Sequence, residues 1–298
     1  MSNVLSQLST ELAAMVERAG QSVVGVEGRR RFPASGVAFS DDGWVVTANH
    51  VLRRDEEISV ILPDGRSMPA RLAGRDPGTD LALLKVEGTA LTAAAWEKEA
   101  GVRVGHLVAA VGRPGPDVQA TLGMVSALGG SWRAPAGGSV DHYLQSDVVM
   151  YPGFSGGPLV GAEGRVIGLN SSALVRGVSI ALPGITVRRV VESLKAHGRM
   201  RRGYLGVGTQ PARLPAASAE TLGQTTGLLV MSVEPGSPAE KAGLVLGDTL
   251  LVLQDQTLQD MDDLLHFLTG EVIGRSVPLR ILRGGQVQDL TITIGERG

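Results

Sequence analysis

Apolar residues keep helical spacing only briefly at the start of the chain. Leu5, Leu8, Leu12 and Met15 or Val16 fall on one face and Gly20 follows as a stop, so a short amphipathic helix is predicted over 4–19, packed on the body of the protein or on a neighbour. From 22 to 185 the pattern changes to short β-rich runs parted by turn signals: "SVVGVE", "SGVAFS-DDG-WVVTA", "ISVIL-PDG-RSMPARLAG", "DLALLKV", "HLVAAVG", "ATLGMVSALG", "GPLV-GAEG-RVIGLN" and "VSIAL". Strands spaced this closely predict a sandwich or barrel. "TVRRVVESLKAHG" (186–198) reads as a closing helix with a basic last turn and Gly198 as C-cap, and "RMRR" (199–202) as a linker. A second unit begins at 203, with strands "GLLVMSVE", "GDTLLVLQ", "VPLRILR" and "VQDLTITI" around a helix "MDDLLHFLTG". The resulting division is an N-terminal helix over 1–20, a β-rich domain over 21–198, a linker over 199–202 and an α+β module over 203–298.

Length agrees with this division, since 298 residues is long for one domain and suits two. With 28 Lys plus Arg against 30 Asp plus Glu, the chain has no strong field to recruit nucleic acid or anionic lipid, and no nucleic-acid partner is expected. The absence of cysteine excludes disulfides, thiol chemistry and cysteine-ligated zinc. His106, His142, His197 and His266 are scattered without a metal-ligand pattern, so neither metal nor cofactor is expected. No stretch approaches a membrane span. The N-terminal residues lack a basic n-region, and Glu11, Glu17 and Arg18 interrupt their apolar run. The expected location is therefore the cytoplasm, with export as the alternative if the natural start differs.

The candidate chemistry centres on "YPGFSGGPLV" (151–160), where Ser155 lies on nearly bare backbone. Missing side chains let a substrate carbonyl approach a serine oxygen and nearby backbone N–H groups. Gly153-Phe154-Ser155-Gly156-Gly157 also satisfies G-x-S-x-G, the nucleophile elbow of α/β-hydrolases. That elbow runs from strand into helix with its histidine later in the chain, whereas Ser155 leads into what reads as a hairpin. The opposite order, His then Asp then Ser, is available here. His50 in "GWVVTANHVL" falls at a strand end, and Asp80 in "DPGTDLALLKV" precedes an apolar strand that would bury its carboxylate. A buried carboxylate can orient an imidazole that reaches a serine hydroxyl.

"VVTANHV", "TDLALLKV", "TLGMVSALG", "YLQSD", "PGFSGGPLV", "GRVIGLN" and "RRGYLGV" match, in order, blocks of the HtrA/Deg family of trypsin-like serine proteases with C-terminal PDZ domains. The resemblance runs from about residue 20 to the end. It implies an all-β chymotrypsin-like double β-barrel followed by an α+β PDZ domain. It also implies an ATP-independent serine endopeptidase acting on unfolded or damaged polypeptides through an acyl-enzyme. His50 would be the general base, Asp80 its orienter and Ser155 the nucleophile, with the N–H groups of Gly153 and Ser155 as oxyanion hole. The wall of the primary pocket falls on Val149 and Met150, both uncharged, which implies small or medium apolar residues before the scissile bond. Tyr204, Leu205, Gly206 and Val207 match the carboxylate-binding loop of PDZ domains, which captures apolar peptide C-termini to regulate or tether.

Three departures from the family pattern shape further expectations. Phe154 stands where relatives usually have Asn, at a position expected to contribute mainly backbone. The segment "VEGRRRFPASG" is short and there is one PDZ module, so a homotrimer is expected in place of a large cage, with the N-terminal helix and Phe32 as contact elements. Relatives are usually exported. The glycine-rich "GGSWRAPAGGSVDH" (129–142) lacks apolar periodicity and is expected to be a mobile loop, the one that senses PDZ occupancy in the family. The rival reading from another class is a non-catalytic, chaperone-like peptide-binding scaffold.

Overall fold

The computed structural model describes residues 3–28, 32–97, 101–268 and 270–296. The chain divides into two compact units, Met1–Met200 and Arg201–Gly298. The first unit opens with α1 (Val4–Gly20), whose Asn3 side chain caps it by accepting the Leu5 N–H at 3.1 Å. Six strands then close an antiparallel barrel: β1 (Val23–Glu27), β2 (Ala34–Ala38), β3 (Trp44–Ala48), β4 (Ile58–Ile61), β5 (Ser67–Asp76) and β6 (Leu81–Val86), in the order β1-β2-β3-β6-β5-β4. Its interior is filled by small branched side chains such as Val24, Val26, Val45, Val60 and Leu84. Closure removes both sheet edges, so every strand finds two partners.

A second six-stranded barrel follows with β7 (Leu107–Gly112), β8 (Gln119–Gly129), β11 (Tyr143–Ser146), β12 (Pro158–Gly161), β13 (Val166–Ser171) and β14 (Ser179–Pro183), while β9 (Trp132–Arg133) and β10 (Ser139–Val140) form a separate hairpin. Helix α2 (Gly184–His197) closes the unit, burying Val187, Val190, Val191 and Leu194 and ending at Gly198 in the left-handed region. The C-terminal half of α1 seats Met15 and Ala19 against Ala109, Val111 and Val160, and its first turns leave Leu5 72% exposed. Arg113 stitches this end of the helix down: its guanidinium donates to the carbonyls of Gly20, Val23 and Pro116.

The expected mobile loop at 129–142 is instead a folded brace. Ala134 and Val140 are buried in the core, and Trp132 packs against the same cluster. The Gly138 N–H donates to the Gly78 carbonyl at 3.2 Å, and a Cβ at Gly138 would lie 2.2 Å from the Gly78 backbone, so the hairpin leans directly on the loop that carries Asp80. At its foot the Asp141 carboxylate accepts from the Thr186 hydroxyl at 2.7 Å and the Arg189 guanidinium at 2.9 Å. Burial pushes the Asp141 carboxyl up, but these two donors outweigh it and hold the group below its ordinary value of 3.8.

The second unit contains β15 (Gly203–Tyr204), β16 (Val207–Arg213), α3 (Ala216–Leu222), β17 (Thr226–Val233), α4 (Pro238–Lys241), β18 (Thr249–Leu253), β19 (Gln256–Thr257), α5 (Met261–Phe267), β20 (Ser276–Arg283), β21 (Gln286–Thr293) and β22 (Gly295–Glu296). Its main sheet runs β16-β17-β18-β20-β21, and one core of Leu205, Leu228, Leu250, Leu279 and Ile281 holds it together. A full capping box between Asp260 and Asp263 starts α5. Among the described residues no cluster could hold a metal ion, and no helix is long and apolar enough to cross a membrane.

Candidate functional site

His50 is delivered by the end of β3 into a single helical turn, Asn49–Val51. Arg75 fixes that turn from behind, with its guanidinium donating to the Asn49 side chain at 3.1 Å and the Leu52 carbonyl at 2.9 Å. Asp80 ends the β5–β6 loop in the left-handed region, at φ +61°, a conformation Asp tolerates better than most residues. The loop is knotted locally, since the Asp76 carboxylate accepts from the Gly78 N–H at 3.0 Å and the Thr79 hydroxyl at 2.6 Å. The buried Asp80 carboxylate then receives the His50 N–H at 2.8 Å, His50 Nδ1 at 2.7 Å and the Ser171 hydroxyl. With the carboxylate on Nδ1, a neutral imidazole keeps its proton there and presents its lone pair on Nε2.

Ser155 lies between β11 and β12 and leads straight into strand β12, which excludes the strand-to-helix elbow. Tyr151 O accepts the Phe154 N–H at 3.0 Å across a turn whose corners are Pro152 and Gly153, the latter at φ +98°. Pro first and Gly second is what a type II turn demands. A Cβ at Gly156 would sit 2.1 Å from the Ser35 carbonyl, so the bare backbone lets this loop press against β2. Ser35 ties the two barrels here, donating its hydroxyl to Gly153 O at 2.7 Å and its N–H to Ser155 O at 3.2 Å. Among the described residues no acceptor takes the N–H of Gly153 or Ser155, so two donors stand free beside the serine.

The structure pairs His50 with Asp80, but no hydrogen bond joins His50 to Ser155. The Ser155 hydroxyl instead faces Ser172, at 3.0 Å from its Oγ and 3.3 Å from its N–H. Ser171 and Ser172 are the residues that sequence reasoning passed over. A run of small polar residues closing the apolar strand "RVIGLNSS" was the available signal. Phe154 corrects another expectation: its ring is 0% exposed, packed with Val108, Val125 and Leu159 and edge-on to Tyr151, so the position supplies core as well as backbone. Val149 is 55% exposed, and Met150 packs partly buried against the Phe154 cluster. Neither lines the cavity of about 300 Å³ at the opposite end of β13 and β14, walled by Val102, Leu128, Tyr143, Ile167 and Pro183.

In the second unit Leu205 is buried, Gly206 has φ +81°, and the carbonyls of both are held by the N–H groups of Ala239 and Glu234 at 2.8 Å each. The Tyr204 hydroxyl donates to Glu234 and Val207 opens β16. Among the described residues no acceptor takes the N–H of Leu205 or Gly206. His106 is half-buried and His142, His197 and His266 are exposed.

Residues 34–169 match the model of a trypsin-like peptidase domain and residues 203–294 that of a PDZ domain. The chain superposes on an HtrA-type protease, AlgW with decapeptide, with a TM-score of 0.80 and 30% sequence identity, covering 96% of this chain and 98% of that one. The chain belongs to the HtrA family of trypsin-like serine proteases. Two curated relatives of this HtrA chain are each named probable periplasmic serine endoprotease DegP-like. That of Ectopseudomonas mendocina (strain ymp) is 39% identical over 267 residues, 88% of this chain, and that of Marinomonas sp. (strain MWYL1) 37% identical over 284 residues, 93% of this chain. The chain spans 56% and 60% of their lengths. Their names overturn the cytoplasmic location expected for the HtrA chain and point to an exported one. The expectation failed because α1 is a packed part of the fold, so the charges that interrupt its apolar run report on packing and carry no information about export.

Proposed function

We propose that this HtrA chain is an ATP-independent serine endopeptidase that cleaves unfolded or damaged polypeptides through an acyl-enzyme. The observation that carries the reading is the Asp80 carboxylate on His50 Nδ1 at 2.7 Å, which aims the other ring nitrogen away as a base. Ser155 Oγ turns from Ser172 toward that nitrogen, gives up its proton to it and attacks the substrate carbonyl. Asp80 stabilises the imidazolium that forms, aided by the Ser171 hydroxyl. The negative charge developing on the carbonyl oxygen meets the N–H groups of Gly153 and Ser155, each worth about 3 to 4 kcal/mol in such a site. His50 then protonates the leaving amine, and water, activated by the same nitrogen, releases the acyl group. The uncharged Val149 and Met150 favour small or medium apolar side chains before the scissile bond.

The second unit binds apolar peptide C-termini through Tyr204, Leu205, Gly206 and Val207 and thereby regulates or tethers. The chain assembles as a homotrimer, a state that light scattering would overturn by returning a monomer. The decisive test of the enzyme is casein digestion by wild type, Ser155→Ala and His50→Ala. Both variants should lose roughly six orders of magnitude in turnover, because members of such a triad act as a unit. Casein digestion by Ser155→Ala at the wild-type rate would remove Ser155 from the reaction, and a purified wild type that leaves casein intact would favour the rival reading, in which the serine loop is a scaffold for peptide binding only.

A further inference from the structure

The PDZ sheet carries a proline where a pairing peptide needs a donor. Strand β16 lies at the edge of the sheet: it pairs with β17, and among the described residues no strand takes its other side. Which of its backbone groups face outward follows from the register. Glu234 N–H donates to Gly206 O at one end and Leu214 N–H to Thr225 O at the other, so Gly206, Gly208, Gln210, Ala212 and Leu214 turn toward β17. The register shift between Gly208 and Thr209 places its extra residue, Met231, on β17 and leaves the alternation along β16 intact. Val207, Thr209, Pro211 and Arg213 therefore turn their backbone groups to the open side. An outward slot is where a strand can hold proline without losing a bond of its own sheet, and Pro211 is exposed.

We propose that Pro211 sets the length of peptide this domain reads, limiting full strand pairing to the last four residues of a chain with a free carboxylate and an apolar end. The inference rests on the reading of the second unit as a C-terminal peptide binder. A peptide pairing antiparallel to β16, with its carboxylate on the N–H groups of Leu205 and Gly206, sets its final residue opposite Val207. The residue two before it lies opposite Thr209, which exchanges both backbone bonds with it. The residue four before it lies opposite Pro211, which offers a carbonyl and no N–H. From that point the exchange is halved: the peptide N–H can still reach the Pro211 carbonyl, but the peptide carbonyl finds no donor, so longer peptides gain at most one bond there. The apolar end is matched by Val207 and Phe267, which pack beside Leu205, Leu264 and Leu268. Helix α5 stands alongside the strand, with the Thr209 hydroxyl donating to Met261 Sδ at 3.8 Å.

The test uses the full chain carrying Ser155→Ala, so that probes stay uncut, and two fluorescent peptides of about four and about seven residues with identical valine-terminated ends. The longer one should bind no more than about fivefold tighter, the worth of the single bond that the Pro211 carbonyl can still accept. Pro211→Ala should tighten the longer peptide about fivefold, the worth of one net backbone hydrogen bond, and leave the shorter one where it was. A longer peptide that binds more than about fivefold tighter to the unaltered edge overturns the proposal, as does a Pro211→Ala gain shared equally by both peptides. If the variant fails to fold, the length comparison on the unaltered edge decides alone. C-terminally amidated peptides separate the two levels of argument: should they bind as well as the free acids, the carboxylate loop itself is misassigned and the proposal falls with it.

Discussion

Two loops in this molecule, one in each unit, use the same backbone device for different ends. Residues 151–157 and 204–207 each use a glycine at positive φ, +98° at Gly153 and +81° at Gly206, and among the described residues no acceptor takes the N–H groups of Gly153 and Ser155 in the first or of Leu205 and Gly206 in the second. The first loop is clamped from every side, by Ser35 across the barrels, by the Asn170 carbonyl on the Gly156 N–H at 2.8 Å, and by the buried Phe154 ring. The second is held by two carbonyl bonds, by the Tyr204 hydroxyl on Glu234 and by the buried Leu205 side chain, and opens onto a strand edge. The contrast follows the charge each would receive in the proposed function. A carboxylate arrives fully formed and brings its own backbone to pair. An oxyanion exists only during the reaction, so its donors must already be in place, because any reorganisation would add to the barrier.

The sharpest way to break this parallel is to add one methyl group to each loop. Gly153→Ala puts a Cβ 2.5 Å from Pro114 in a conformation L-residues avoid, and kcat should fall about a hundred- to a thousandfold. Gly206→Ala, whose Cβ would meet Ser237 at 2.2 Å, should weaken peptide binding by roughly tenfold or more and make its main change in Kd. Equal losses of kcat in the two variants would erase the distinction. A smaller effect tests the poise of the clamped loop. Ser172→Ala removes the hydroxyl that holds Ser155 at 3.0 Å, so labelling of Ser155 by a fluorophosphonate should quicken about fivefold, and a slower rate would make Ser172 a helper of the nucleophile.

The smallest effect concerns the brace behind Asp80. The Asp141 carboxyl is held below its ordinary value of 3.8, so the stability it contributes is fully present above that value and is lost as pH falls through the lowered one. Melting temperatures measured from about pH 5 down to about pH 3 should fall more for wild type than for Asp141→Asn. Parallel curves would remove Asp141 from the account.

Elements with a sustained period were legible in the sequence: the terminal helix, the closing helix with its Gly198 cap, and the hairpin after Ser155 all stand where the apolar pattern predicts them. The hairpin at 132–140 was not, because its strands are two residues long and cannot display a period, although Ala134 and Val140 are core. The order His50, Asp80, Ser155 is visible along the chain. The partners that orient these residues are visible only in space. Arg75 reaches Asn49 from the end of β5, twenty-six positions away, and Ser171 reaches Asp80 from ninety-one positions away. Phe154 was misjudged for a similar reason, since a lone aromatic among glycines gives no hint that Val108 and Val125 enclose it.

That ring also couples two properties that proteins often keep separable. Phe154 is at once the immediate neighbour of Ser155 and a fully buried filler of the second barrel. Truncating such a side chain costs about 3 to 5 kcal/mol, a large share of what holds a domain together. Heating the protein should therefore silence it at the temperature where the barrel melts, with no warm interval in which the fold persists and the nucleophile loop has slackened. For an evolving lineage, position 154 is a place where drift in thermal tolerance and drift in turnover are one and the same event, and any change there must be answered inside the barrel before it is seen at the surface.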